Sequence, residues 1–250
     1  GIVTDTKIKS SADAKQKLNM KIIATFPYLR NSSLLTPSED RESKQIELYR
    51  ILARPLRLKY PKQGATFLVT STRKGEGKST FAINLATVFG RQDEHVLIID
   101  SQIRSTHTPS PFHAYCMEES LANHPDGLGE YLSYKVASCE EIINQTVIPG
   151  VDIILRNEAA IIPDLLQSAR MSELMLELKQ LYSIIIIEGA AVDECVDSEI
   201  LTNYSDTILF ITACDKLKPP VIQRTLKRLK NTNIPPEGII LTKVRSIYSE

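Results

Sequence analysis

The apolar positions of this chain fall into short continuous runs: VLIID (96–100), SIIIIE (183–188), TILFIT (207–212) and GIILT (238–242). None alternates between apolar and polar, as a strand with one wet face would. Uninterrupted runs of this length suit strands covered by helices on both faces. Between them the apolar period lengthens to that of a helix. The pattern predicts strands at 66–71, 95–100, 151–155, 183–188, 206–212 and 238–243, and helices at 79–90, 163–182, 197–204 and 219–230. A long loop is expected from 101 to about 126, with short helices near 127–145. Strands and helices in alternation predict a doubly wound, mostly parallel α/β sheet with helices on both faces.

Ahead of this pattern, residues 1–37 hold one short apolar run, KIIATFP (21–27), among polar positions, and read as an N-terminal arm packed on the main body. The main domain is expected over 38–250. It opens with a helix capped by Ser38, followed by Arg41 and Glu42, striped by Ile46, Leu48, Tyr49 and Leu52, and ended or kinked by Pro55.

Composition narrows the functional classes. Thirty basic and thirty acidic residues cancel, so no global field draws in nucleic acid, which is not expected as a partner. Cys116, Cys139, Cys195 and Cys214 are widely spaced and read as reduced thiols. No run approaches the roughly 20 apolar residues of a membrane-spanning helix. The first residue is Gly1, not Met, which leads to the expectation of a piece of a longer protein with membrane segments upstream.

One stretch carries explicit chemistry. FLVTSTRKGEGKSTFAINLATVFG (67–90) runs from a predicted strand through a glycine-containing turn into a predicted helix. It fits the phosphate-binding pattern G-x-x-x-x-G-K-[ST], with Thr72 at the first glycine and Gly77, Lys78 and Ser79 in place. Residues Arg73, Lys74, Gly75, Glu76, Gly77, Lys78, Ser79 and Thr80 are therefore expected to surround the phosphates. Successive backbone N–H groups and the helix N-terminus would face the anion, Lys78 would reach its outer oxygens, and Ser79 would ligate Mg²⁺. Ligands of open parallel sheets sit beyond the carboxyl ends of the strands, where Asp100 and Glu188 fall. Either carboxylate can hold the magnesium ion directly or through water.

Other clusters read as ordinary surface. His107, His113, Cys116 and His124 share a loop, but their spacing matches no zinc pattern. Lys216, Lys218, Arg224, Lys227, Arg228 and Lys230 form a basic face near 219–230, read as solvated.

Taken in order, TSTRKGEGKST, NLA, VLIIDSQIR, GLGEYLS, the segment from IPDLLQSARM to IIIIEGAAVDE, SDTILFIT and GIILTKV resemble the cytoplasmic domain of the bacterial tyrosine kinases attached to polysaccharide co-polymerases. That group lies within the wider set of P-loop proteins containing the Min and Par ATPases. The resemblance implies ATP or ADP with Mg²⁺ as ligands, and Lys78, Asp100 and Glu188 as catalytic positions. It implies membrane-embedded polysaccharide assembly proteins as partners. The implied location is the cytoplasmic side of the bacterial inner membrane, with this chain as the soluble domain of a membrane protein.

Several positions depart from the family pattern. Gln102 stands where the second aspartate of Asp-x-Asp-x-Arg is expected to accept the tyrosine proton, and an amide cannot take it. Glu188-Gly189-Ala190-Ala191 replaces Asp-Thr-Pro-Pro, and Thr242 replaces an asparagine near the adenine. Tyr248 stands alone where active members carry a tyrosine cluster. The self-association pattern Glu-x-x-Arg-x-x-Arg is met by Glu47 and Arg50, but Ala53 fills the third position and Arg54 comes one residue late. That slip turns a helical side chain by about 100°. Arg73 and Lys74 flank the loop where Min and Par ATPases place a lysine that crosses a dimer interface, and read equally as that residue or as charged loop side chains. The expectation is an ATP-binding domain with weak or lost kinase activity and a regulatory or scaffolding role in exopolysaccharide or capsule assembly. The alternatives are an active tyrosine autokinase and a Par- or Min-like ATPase.

Overall fold

A computed structural model describes residues 7–28, 44–104, 108–156 and 164–245. The expected N-cap Ser38 with Arg41 and Glu42, as well as His107 and Tyr248, lie outside these residues. Eight strands form one sheet in the order β1-β8-β7-β2-β6-β3-β5-β4. They are β1 (Ile22–Pro27), β2 (Ala65–Ser71), β3 (Val96–Asp100), β4 (Ile143–Gln145), β5 (Val151–Ile154), β6 (Ile184–Glu188), β7 (Thr207–Ala213) and β8 (Ile239–Val244). Every pairing is parallel except that of β4 with β5.

The central strands read as unbroken apolar runs because each of their faces meets a different helical layer. Along β2, Phe67 and Val69 join one buried cluster and Leu68 the other; Ile98 and Ile99 of β3 divide in the same way. One face is covered by α2 (Lys44–Lys59) and α3 (Lys78–Gly90). On the other lie α1 (Ser11–Leu18), α5 (Leu128–Leu132), α6 (Ala169–Leu181) and α8 (Pro219–Lys230), with Leu201 of α7 (Asp197–Leu201). The short α4 (Glu118–Asn123) packs beside β4.

Four local differences from the sequence reading have physical causes. The segment expected as an arm supplies α1 and the edge strand β1, whose Tyr28 N–H continues the β8 ladder to the Val244 carbonyl at 2.8 Å. Pro55 does not end α2, which runs on to Lys59. The residue four before it, Ile51, is 63% exposed, so a carbonyl left without its helical partner there has water at hand, while Tyr49, Leu52, Ala53 and Leu56 stay buried on the other side. Helix α6 starts at Ala169, later than 163, because the Ser168 hydroxyl caps it by accepting from the Met171 N–H. Strand β4 falls within the stretch expected as short helices; three residues are too few to show a period.

Candidate nucleotide-binding site

Strand β2 lies between β7 and β6, and at its carboxyl end the chain turns through Thr72–Gly77 into α3. The turn requires left-handed backbone at Gly75 (φ +75°) and Gly77 (φ +101°), which side-chain-bearing residues rarely adopt. Gly77 is the N-cap of α3, so the unsatisfied first N–H groups of that helix face the turn. Lys78 follows, only 5% exposed, and its Nζ donates to the Ser71 hydroxyl at 3.3 Å. Thr80 is exposed on the same helical turn.

Two carboxylates stand beside this turn. Asp100 ends β3 and Glu188 ends β6, and the two are paired in register across neighbouring strands. Both are buried, at 0% and 1% exposure. The Ser79 hydroxyl donates to Glu188 Oε1 at 2.6 Å, while Oε2 is buried without a hydrogen-bond partner among the described residues. Burial, then the charge of Asp100, push the Glu188 carboxyl up to about 7, against the pull of Lys78. Asp100 is also raised by burial, opposed first by Arg156 and then by the Ser110 hydroxyl. An unpartnered oxygen on a buried carboxylate is costly in protein alone, and a hard divalent cation coordinated by oxygen would satisfy it. Ser79, Asp100 and Glu188 thus fit a Mg²⁺ ion, and Lys78 with the α3 N-terminus fits phosphate.

Other expected residues make contacts within the chain. The Glu76 carboxylate is fully buried and turned inward, accepting from the Arg73 N–H at 2.7 Å and the Ala213 N–H at 3.0 Å. It closes the turn on itself and ties it to β7. The Thr242 hydroxyl donates to the Glu76 carbonyl at 2.7 Å, and Lys243 Nζ donates to the Gly75 carbonyl at 2.8 Å. Lys216 Nζ bonds the Lys74 carbonyl. Thr242, at the end of β8, thus fixes the backbone of the phosphate turn. Arg73 and Lys74 pair within the chain, with Asp193 at 3.4 Å and Glu194 at 3.3 Å.

Gln102 is 8% exposed, and its N–H donates to Asp100 Oδ1 at 3.1 Å. Arg104 leaves the site to form a forked pair with buried Asp197, at 2.8 and 2.9 Å. Two residues that sequence reasoning missed reach Asp100: Ser110, through its hydroxyl at 2.6 Å, and Arg156, at 3.5 Å. Neither lies in a recognisable motif. On α2, Glu47 and Arg50 pair at 3.4 Å on the surface, Ala53 faces the core at 0% exposure, and Arg54 is exposed. The buried Cys116 thiol is pushed up to about 11 by desolvation, and its hydrogen bond goes to the Phe112 carbonyl.

Known proteins resemble both the sequence and the fold. Residues 67–249 match the CobQ/CobB/MinD/ParA nucleotide binding domain family. The tyrosine-protein kinase CpsD of Streptococcus agalactiae is 26% identical over 211 residues, covering 84% of this chain and 88% of that protein. The tyrosine-protein kinase ptk of Acinetobacter johnsonii is 29% identical over 170 residues, or 68% of this chain, which spans only 22% of that longer protein. Among solved structures, the kinase domain of Escherichia coli tyrosine kinase ETK superposes with a TM-score of 0.79 at 19% identity, covering 96% of this chain and 97% of that one. The chimerical protein CapA2B2 superposes with a TM-score of 0.80 at 20% identity, covering 95% and 100%.

Proposed function

Because the chain belongs to the CobQ/CobB/MinD/ParA nucleotide-binding family, we propose that it is the ATP- and ADP-binding domain of a bacterial tyrosine kinase type of protein, with weak or absent kinase activity. Its role is regulatory or scaffolding in exopolysaccharide or capsule assembly, at the cytoplasmic side of the inner membrane and beside membrane-embedded assembly proteins. Relatives named tyrosine-protein kinase support the kinase-type reading, and one whose name places it in a cps region supports the setting. The observation that carries the nucleotide reading is the junction of Lys78, Ser79, Asp100 and Glu188 at one strand-to-helix turn.

Magnesium held by Ser79, Asp100 and Glu188 would neutralise charge on the outer phosphates. Lys78 adds a second positive charge, and Glu76 with Thr242 keeps the turn in shape before any ligand arrives. What is weak is proton acceptance. Gln102 occupies the expected base position, and an amide takes no proton from a tyrosine hydroxyl.

An active autokinase is the second reading, favoured by the relatives named tyrosine-protein kinase. Incubation with Mg²⁺ and ATP followed by a phosphotyrosine blot separates the two. Nucleotide binding with no labelling supports the proposal, whereas strong labelling replaces it with the second reading.

A further inference from the structure

The buried arginine beyond β5 has no place in the chemistry so far. Arg156 lies two residues past the end of β5, which pairs with β3, so its side chain stands next to Asp100. Its side chain is 6% exposed, and Nη1 lies 3.5 Å from Asp100 Oδ2. Nη2 donates to the Thr108 carbonyl at 2.6 Å, the Thr108 hydroxyl at 3.2 Å and the Pro109 carbonyl at 2.9 Å. The backbone of Arg156 is held as well, since its carbonyl accepts from the Gly129 N–H at the start of α5 at 3.3 Å. This is a fixed guanidinium, with none of the freedom of a surface arginine.

Charge gives it a purpose. Asp100 and Glu188 bring two negative charges into a space closed to water, and Lys78 and Arg156 bring two positive ones. Once both carboxylates are ionised, as metal binding requires, the cluster is balanced. A divalent cation entering at Ser79, Asp100 and Glu188 meets a carboxylate already engaged on one oxygen by a cation that cannot move away without breaking three further hydrogen bonds. Like charges brought together in a low-dielectric site oppose each other strongly.

We infer that Arg156 is a positioning residue that serves as a resident cation for the Asp100–Glu188 pair, competing with the divalent metal and letting the site hold a nucleotide without one. This rests on the nucleotide reading above only in its second clause.

The test uses the full chain and Mn²⁺ alone, with free Mn²⁺ followed by electron paramagnetic resonance. Arg156→Gln keeps a hydrogen-bond donor for the Thr108 and Pro109 carbonyls but removes the charge, and is expected to bind Mn²⁺ about tenfold more tightly or better. Arg156→Lys, which keeps the charge, is expected to stay within about threefold of the unmodified chain. Equal or weaker Mn²⁺ binding by a folded Arg156→Gln variant overturns the inference. Should that variant not fold, as judged by circular dichroism, Mg²⁺ is titrated into the unmodified protein while the arginine side-chain ¹⁵Nε resonances are observed, with Arg156→Lys identifying the one that belongs to Arg156. Movement of that resonance with the metal supports competition, and an unmoved resonance at saturation overturns it. A second arm measures ADP affinity in EDTA and in saturating Mg²⁺. Arg156→Gln should lose about tenfold or more in EDTA and little with Mg²⁺, and an equal loss in both overturns the second clause. If the unmodified chain binds no nucleotide in either condition, the nucleotide reading fails, and the second clause with it, while the Mn²⁺ comparison still decides the first.

Discussion

The Ser79 hydroxyl donates to Glu188 Oε1 at 2.6 Å, joining the first turn of α3 to the end of β6 across the mouth of the phosphate turn. The bond sets one oxygen of Glu188 and leaves the other buried without a partner among the described residues. A buried carboxyl in that position is sensitive to proton and metal alike, and it sets the first test.

Glu188 has its folded carboxyl pushed up to about 7, above the ordinary 4.5. A raised value means the folded chain holds the proton more tightly than the unfolded chain. Its stabilising contribution is therefore complete below about 4.5 and is lost as pH rises through about 7. Melting of the metal-free protein should fall over that window, and Glu188→Gln should flatten the fall. A profile of the same slope in both proteins contradicts the assignment.

Lys78 lends its charge to whatever anion occupies the turn. Lys78→Ala should cost about 1.5–3 kcal/mol of nucleotide binding, or at least about tenfold in affinity, measured by calorimetry with Mg²⁺ and ATP or ADP. The unmodified protein failing to bind either nucleotide would sink the underlying reading.

Phosphoryl transfer to tyrosine should be absent or very weak. Gln102 is held next to Asp100 by its own N–H, so Gln102→Asp would bring a third carboxylate to the pair. The variant is expected to gain labelling of an added tyrosine-rich peptide on a phosphotyrosine blot, with Glu188→Asp as a further step. Strong labelling by the unmodified chain is the contrary result.

Thr242 holds the phosphate turn by one hydroxyl bond to the Glu76 carbonyl. Thr242→Val keeps the shape and removes the donor, leaving a buried carbonyl unpaired. Denaturant titration should show a loss of about 1–3 kcal/mol, accompanied by weaker ADP binding. Unchanged ADP affinity would mean that the turn keeps its shape without β8.

Self-association through α2 should be weak. Ala53 faces the core, so Ala53→Arg would bury a charge and cost about 3 kcal/mol or more instead of completing an interface. Sedimentation of the chain at low micromolar concentration is expected to show a monomer or small oligomer, with and without ATP. A stable octamer-sized species would refute this.

The layered sheet was readable because parallel strands covered on both faces carry apolar residues at every position, as 184–187 do. The phosphate turn was readable because Gly77, Lys78 and Ser79 keep the pattern's spacing, with left-handed backbone at Gly77 that side-chain-bearing residues rarely adopt. The inward contact of Glu76 was silent in the sequence, since only the arrival of β7 gives its oxygens the Ala213 N–H. Arg156 was silent for a related reason. Its partners lie 47 and 48 residues back along the chain, and no spacing rule links an arginine after one strand to carbonyls in a loop after another. Side chains that act through tertiary partners leave no period behind.

Strand β1 pairs with β8, and β8 carries both Thr242 and Lys243, whose side chains hold the backbone of the phosphate turn. One ladder of hydrogen bonds therefore separates the N-terminal segment from the loop built to hold phosphate. A pull, twist or shift delivered along residues 22–27 reaches β8 directly, and through it the carbonyls of Gly75 and Glu76. The edge strand and the ligand turn are thus anchored to one and the same strand, so the sheet edge and the site share a single backbone support.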